Sequence, residues 1–143
     1  MVGCIVTGHN DFPIGMKKAL EMIAGEQQDV VAVPFHETDS LEDYEQNVKA
    51  AAASLYKSNG SVVLFADLLG GTPFNIAMML KNERPWLEVV TGTNLPMLLE
   101  FVGQKLQGKT ASECAGVLIE TGQAGITLGA ITVREEQGDD DGI

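Results

Sequence analysis

Short apolar runs alternate along the chain with stretches whose apolar positions recur every three or four residues. Residues 2–7 (VGCIVT), 29–34 (DVVAVP), 61–66 (SVVLFA) and 86–91 (WLEVVT) read as strands. The third has no polar alternation, the pattern of a strand covered on both faces. Met16, Ala19, Leu20 and Ile23 line one face of a helix over 13–24. Ser40 is a good N-cap, with Asp43 three residues on as a weaker form of the capping box. The helix it opens carries Leu41, Tyr44, Val48, Ala51 and Leu55 on one face and ends at Lys57 and the turn Ser58-Asn59-Gly60. Further helices are predicted over 73–82, from Asn94-Leu95-Pro96 to about 102, and over 111–122. A short last strand is predicted over 130–133, before a tail from Glu135 that carries five acids and is expected to fray.

Strand and helix alternating in this way predict an α/β fold, doubly wound, with a mainly parallel four-stranded sheet and helices on both faces. The common order for such a sheet is 2-1-3-4, which makes strands 1 and 3 neighbours where the winding reverses. Chemistry in these folds sits in that crevice, beyond the carboxyl ends of the strands. No repeat or linker divides the chain, so residues 1–134 read as one domain and 135–143 as a flexible acidic tail.

The composition narrows the function. Of 143 residues, 45% are apolar and 20% charged, enough core for a folded domain and too little charge for a disordered one. A formal net charge of −11 argues against a nucleic-acid surface, which needs a basic stripe, and against anionic membranes. No apolar run approaches the ~20 residues of a spanning helix, and no basic region opens the chain. The two cysteines, Cys4 and Cys114, form no CxxC pair; a reducing, cytoplasmic setting without disulfides is expected.

Strand 1 runs into Thr7-Gly8-His9-Asn10-Asp11 and strand 3 into Asp67-Leu68-Leu69-Gly70-Gly71-Thr72-Pro73. The predicted winding sets His9 and Asp67 face to face. A carboxylate that accepts from Nδ1–H fixes the tautomer and leaves Nε2 free as a nucleophile. Gly70 and Gly71 let the backbone approach closely, Thr72 reads as the N-cap of the next helix, and Pro73 fits its first position. The amides of that helix start suit a phosphate. Taken singly, each part has a structural reading: a solvated strand-end histidine, a loop-capping aspartate, a tight turn before a helix. His36, the other histidine, follows a strand at the sheet edge and reads as solvated. Leu68, Leu69, Phe12 and Pro13 flank the site, as an apolar docking rim or as core beneath the loops.

Other chemistries lack their residues. GGTPFN has no Lys-Ser/Thr of a P-loop, no GxGxxG follows strand 1, and His and Cys show no metal spacing. Neither a metal nor another cofactor is expected. A response-regulator receiver would need an acidic pair after strand 1 and a lysine after strand 5; both are missing.

The stretches IVTGH with His9, LFADLLGGTPFN (64–75) and VVTGTNLPMLLE (89–100) together resemble the IIA component of the mannose-type (mannose/fructose/sorbose) sugar phosphotransferase system. The resemblance spans roughly residues 1–133. It implies that His9 accepts a phosphoryl group from the carrier protein HPr and passes it to a IIB protein. It also implies that Asp67 orients His9 and that Gly70, Gly71 and Thr72 lie beside the phosphoryl group. It further implies a homodimer that exchanges a C-terminal strand, here 130–133. Some relatives continue into a IIB domain; the acidic tail suggests a separate IIB chain. A phosphocarrier serving a dihydroxyacetone kinase and a regulatory module without turnover on the same fold are the alternatives.

Overall fold

The computed structural model describes residues 1–131. Their elements run β1 (Gly3–His9), α1 (Phe12–Ala24), β2 (Val30–Phe35), α2 (Leu41–Asn59), β3 (Val62–Ala66), α3 (Thr72–Lys81), β4 (Leu87–Val90), α4 (Leu95–Leu106) and α5 (Ala111–Ala124). The strands form one parallel sheet in the order β2-β1-β3-β4, as the alternation of elements predicts.

Burial explains the two kinds of strand pattern. β3 is buried at every position and β1 at all but its last residue, because both lie in the middle of the sheet under helices on both faces. The edge strands β2 and β4 are buried only at their first and fourth residues, or first and last. On one face α2 and α3 cover Ile5, Val33, Val62, Leu64, Ala66 and Leu87 with Tyr44, Val48, Leu55, Ile76 and Leu80. On the other, α1, α4 and α5 cover Cys4, Val6, Val30, Val63, Phe65 and Val90 with Leu20, Leu98, Phe101, Cys114 and Leu118. Both cysteines are free and buried, and burial pushes each thiol up, which keeps them protonated core residues.

The helix ends follow local chemistry. Ser40 accepts from the Asp43 amide at 3.0 Å, as its sequence position predicts. Thr110 and Glu113 form a reciprocal capping box at α5. Several boundaries move. β1 runs two residues past the predicted end, because Gly8 and His9 stay in register with Pro34 and Phe35 of β2. α4 continues through Gly103 to Leu106, carried by buried Phe101 and Gln104. The N-cap of α3 is Gly71, not Thr72; the extended backbone at Gly71 already turns the chain, so Thr72 is the first helical residue and Pro73 the second. Of the predicted last strand, Ala130 and Ile131 are exposed and unpaired, and Thr132 and Val133 lie outside the described residues, as does the acidic tail. Among the described residues no helix is long and apolar enough to cross a membrane.

Candidate active site

His9 is the last residue of β1, and Asp67 is the first residue after β3. Thr7 of β1 pairs with Ala66 of β3, so Gly8 and Asp67 come next along the two strands. Having no side chain, Gly8 leaves a space that the Asp67 carboxylate fills. A Cβ there would stand 2.8 Å from Asp67 Cγ and 2.9 Å from Oδ2. From this seat Oδ2 accepts the His9 amide at 2.9 Å and faces His9 Nδ1 at 2.8 Å, while Oδ1 accepts the Leu68 amide at 2.9 Å. Burial pushes the Asp67 carboxyl up, but donation by the His9 amide and ring and by the Leu68 amide outweighs it; the group titrates below the usual carboxylate range. It is therefore an anion at neutral pH. An anionic acceptor at Nδ1 favours the Nδ1–H tautomer and leaves Nε2 without a proton.

The Nε2 side of the ring points at the α3 loop. A Cβ on Gly71 would stand 3.0 Å from His9 Cε1 and 3.6 Å from Nε2, so any side chain there would press on the imidazole. Gly70 sits at φ +89, the left-handed region that glycine occupies without strain. No side chain caps α3. Its first intrahelical bond runs from the Asn75 amide to Gly71 O, and Pro73 has no amide hydrogen, so the Thr72 and Phe74 amides of the first turn remain for an outside acceptor. The structure thus brings His9, Asp67, Gly70, Gly71 and Thr72 to one place at the carboxyl ends of β1 and β3. The His9 side chain is 49% exposed and Asp67 only 10%. The imidazole is thus open to a large molecule, while the anion beside it is sheltered.

A sequence profile described as EIIA-man, PTS system fructose IIA component, matches residues 3–118. The chain is 34% identical over 102 residues to the PTS system fructose-specific EIIA component of Bacillus subtilis, covering 71% of this chain and 69% of that protein. The chain belongs to the mannose-type IIA family of the sugar phosphotransferase system. It is thus a phosphotransferase component, and its function is phosphoryl relay in sugar uptake. Two solved structures agree. Phosphotransferase system component EIIA from Streptococcus agalactiae superposes with a TM-score of 0.80 at 30% identity, over 89% of this chain and 96% of that one. The mannose/sorbose specific IIA subunit from Enterococcus faecalis gives 0.77 at 31%, over 94% and 98%.

Other residues around the site of this IIA component divide unevenly. Leu68 and Leu69 are exposed beside it, but Phe12 packs against the core and Pro13 is buried, so of these four the two in the loop after β3 supply an exposed apolar rim. His36 is half-buried; its Nδ1 lies 3.2 Å from Asn10 Oδ1, which puts it at the end of β1 without reaching Asp67. Asn10 sits at φ 56, where asparagine is tolerated, and its amide donates to Phe35 O at 2.8 Å. Sequence reasoning missed the seat at Gly8, whose only signal is a glycine just before the histidine. It also missed Thr93, whose hydroxyl donates to Ala66 O at 2.6 Å and ties the loop after β4 to the residue before Asp67. An open hollow of about 320 Å³ adjoins His9, lined by Asn10, Phe35 and Glu37. A larger one of about 560 Å³ runs along α3 past Met78 and Met79 to Glu83, and neither His9 nor Asp67 lines it.

Proposed function

We propose that His9 is the phosphoryl acceptor of this relay, that an HPr-like phosphocarrier is the donor, and that a IIB component takes the group onward. The observation that carries this is the 2.8 Å contact of His9 Nδ1 with Asp67 Oδ2, which frees the exposed Nε2 beside the uncapped start of α3. Nε2 attacks phosphorus with its lone pair, the N–P bond forms, and the bond from phosphorus to the donor breaks on the opposite side. The Nδ1 proton stays between the ring and Asp67, whose negative charge offsets the positive charge that the phosphorylated ring acquires. The Thr72 and Phe74 amides and the Thr72 hydroxyl receive phosphoryl oxygens, with Gly70 and Gly71 shaping the loop around them. Onward transfer is the same displacement with the IIB nucleophile attacking in line. Asp67 accepts three donors at once and faces Nδ1 rather than Nε2, so it is poorly placed to activate water at the phosphorus.

A second copy of the chain is the remaining partner. β4 is a sheet edge, and Ile126, Leu128 and Ile131 beyond α5 are 75%, 93% and 97% exposed, which supports exchange of this segment in a homodimer. The relay reading places the chain in the cytoplasm. The deciding experiment follows radiolabelled phosphate from an HPr-driven mixture. His9→Ala abolishes labelling and His36→Ala leaves it intact; label that survives His9→Ala removes the proposal. Sedimentation as a monomer at micromolar concentration removes the dimer.

A further inference from the structure

Asp67 holds the His9 imidazole at one nitrogen only. A single hydrogen bond is a pivot, and a half-exposed histidine has a broad torsion at its second side-chain angle. Something else has to set the plane of the ring. Asp67 and Gly71 reach His9 from the β3 side of β1. On the β2 side the parallel register pairs His9 with Phe35, so the two side chains rise from the same face of the sheet. Their rings meet edge to face, with centroids 6.1 Å apart and planes at 72°. Phe35 leans in turn on Tyr44 of α2, centroids 4.9 Å apart. Tyr44 is fully buried, and its hydroxyl lies 2.5 Å from Thr7 Oγ1. The Thr7 hydroxyl gives its own hydrogen to Val33 O at 2.6 Å, so Tyr44 is the donor to Thr7. Thr7 stands two residues before His9 on the same face of β1. The four side chains therefore close a ring from β1 through α2 and β2 and back to β1.

We infer that Phe35 is a positioning residue for phosphoryl transfer, its ring braced by Tyr44 on Thr7 so that the His9 imidazole keeps Nδ1 on Asp67 and Nε2 in line with the incoming phosphorus. The inference rests on the reading of His9 as the phosphoryl acceptor. It separates two tasks: Asp67 sets the tautomer and Phe35 sets the plane. Without Phe35 the ring swings about its hydrogen bond, Nε2 spends less time on the line of attack, and Nδ1 leaves the carboxylate for part of the time.

The test combines Phe35→Ala, Phe35→Leu and Tyr44→Phe in the full chain. One measurement is single-turnover phosphorylation by phosphorylated HPr over a range of HPr concentrations. The other is the ring tautomer of His9, read by long-range ¹⁵N correlation spectra without any donor present. Both Phe35 variants should lower the saturated transfer rate by about tenfold or more, the scale on which small misplacements act. The HPr concentration at half-saturation should stay near that of the parent chain, and the single Nδ1–H tautomer should give way to a mixture. Tyr44→Phe keeps the aromatic stack and loses only the tie to Thr7; it should show the same signature at smaller amplitude. Should Phe35→Ala not fold, Phe35→Leu and Tyr44→Phe decide on the same readouts. Unchanged rate and tautomer in folded variants overturn the inference, as does a shift confined to half-saturation, which would make Phe35 a docking residue. Failure of the His9 assignment looks different: label persists in His9→Ala whatever Phe35 does.

Discussion

Gly8→Ala is the sharpest probe of how the site is built, because it adds one methyl group and removes nothing. The new Cβ would stand 2.8 Å from Asp67 Cγ. Carbon atoms rest at about 3.5–4.0 Å, so the carboxylate has to retreat by roughly 0.7 Å or more. Its contacts with the His9 ring and amide, now 2.8 and 2.9 Å, would then reach the limit of a hydrogen bond. Hydrogen bonds to a charged acceptor contribute about 1.5–3 kcal/mol each, and partial relaxation brings the expected loss to about 2–4 kcal/mol. For a chain of this size that lowers the melting temperature by roughly 7–13 °C. Loss of the tautomer lock should slow phosphorylation by about 30-fold or more, the equivalent of about 2 kcal/mol. The assay is a double-mutant cycle with Asp67→Ala, read by thermal melts and single-turnover labelling. In the Asp67→Ala background the added methyl group still meets the Cβ at position 67, 2.9 Å away, but no longer displaces the carboxylate, so Gly8→Ala should then cost clearly less than in the parent. Additive effects, or a Gly8→Ala chain that melts and labels like the parent, would refute the account of Gly8 as the seat of Asp67.

Two further outcomes are expected. The Asp67 carboxyl titrates below its ordinary value, so its contribution to stability is fully present above the unfolded carboxylate pKa of about 3.9 and is lost as pH falls through the folded value. The urea midpoint of the parent chain should therefore exceed that of Asp67→Asn near neutral pH and converge with it in strong acid; a constant gap would place the stabilisation elsewhere. At the far end of the molecule, Thr110→Ala breaks the capping box of α5 and should cost about 1 kcal/mol in a denaturant titration while leaving single-turnover labelling unchanged.

What the sequence made legible follows from which interactions are local. β1 and β3 announce themselves because both faces of each are buried, and Ser40 announces α2 because its hydroxyl meets an amide only three residues away. The order of the strands follows from the alternation of elements, and with it the meeting of His9 and Asp67. Gly71 displaced Thr72 as the cap of α3 because an extended glycine ends the loop one residue earlier than a hydroxyl-based rule places it. The seat at Gly8 and the strut through Phe35, Tyr44 and Thr7 were not legible. Each joins residues from different elements, and each residue alone fits a plain core role: Phe35 as one more apolar strand residue, Tyr44 as the face of a helix.

The register of the sheet, more than any loop, places the chemistry. His9 and Asp67 are 58 positions apart, yet their approach requires no long segment to be ordered for the purpose. Pairing from Gly3 with Val62 to Thr7 with Ala66 holds β1 against β3, and the next residues along those strands carry the site. Because side chains alternate faces along a strand, a slip of one residue would set Gly8 or Asn10 where the imidazole stands and turn His9 to the opposite face. The buried rows of β1 and β3 oppose such a slip, since it would move every apolar side chain of one strand out of its cluster. The energy that fixes the His9–Asp67 contact is thus the hydrophobic burial of the central strands, and the site itself can stay open at the surface for its partners. Core substitutions in β1 or β3 that leave the fold intact but loosen the register should consequently reduce transfer before they unfold the chain.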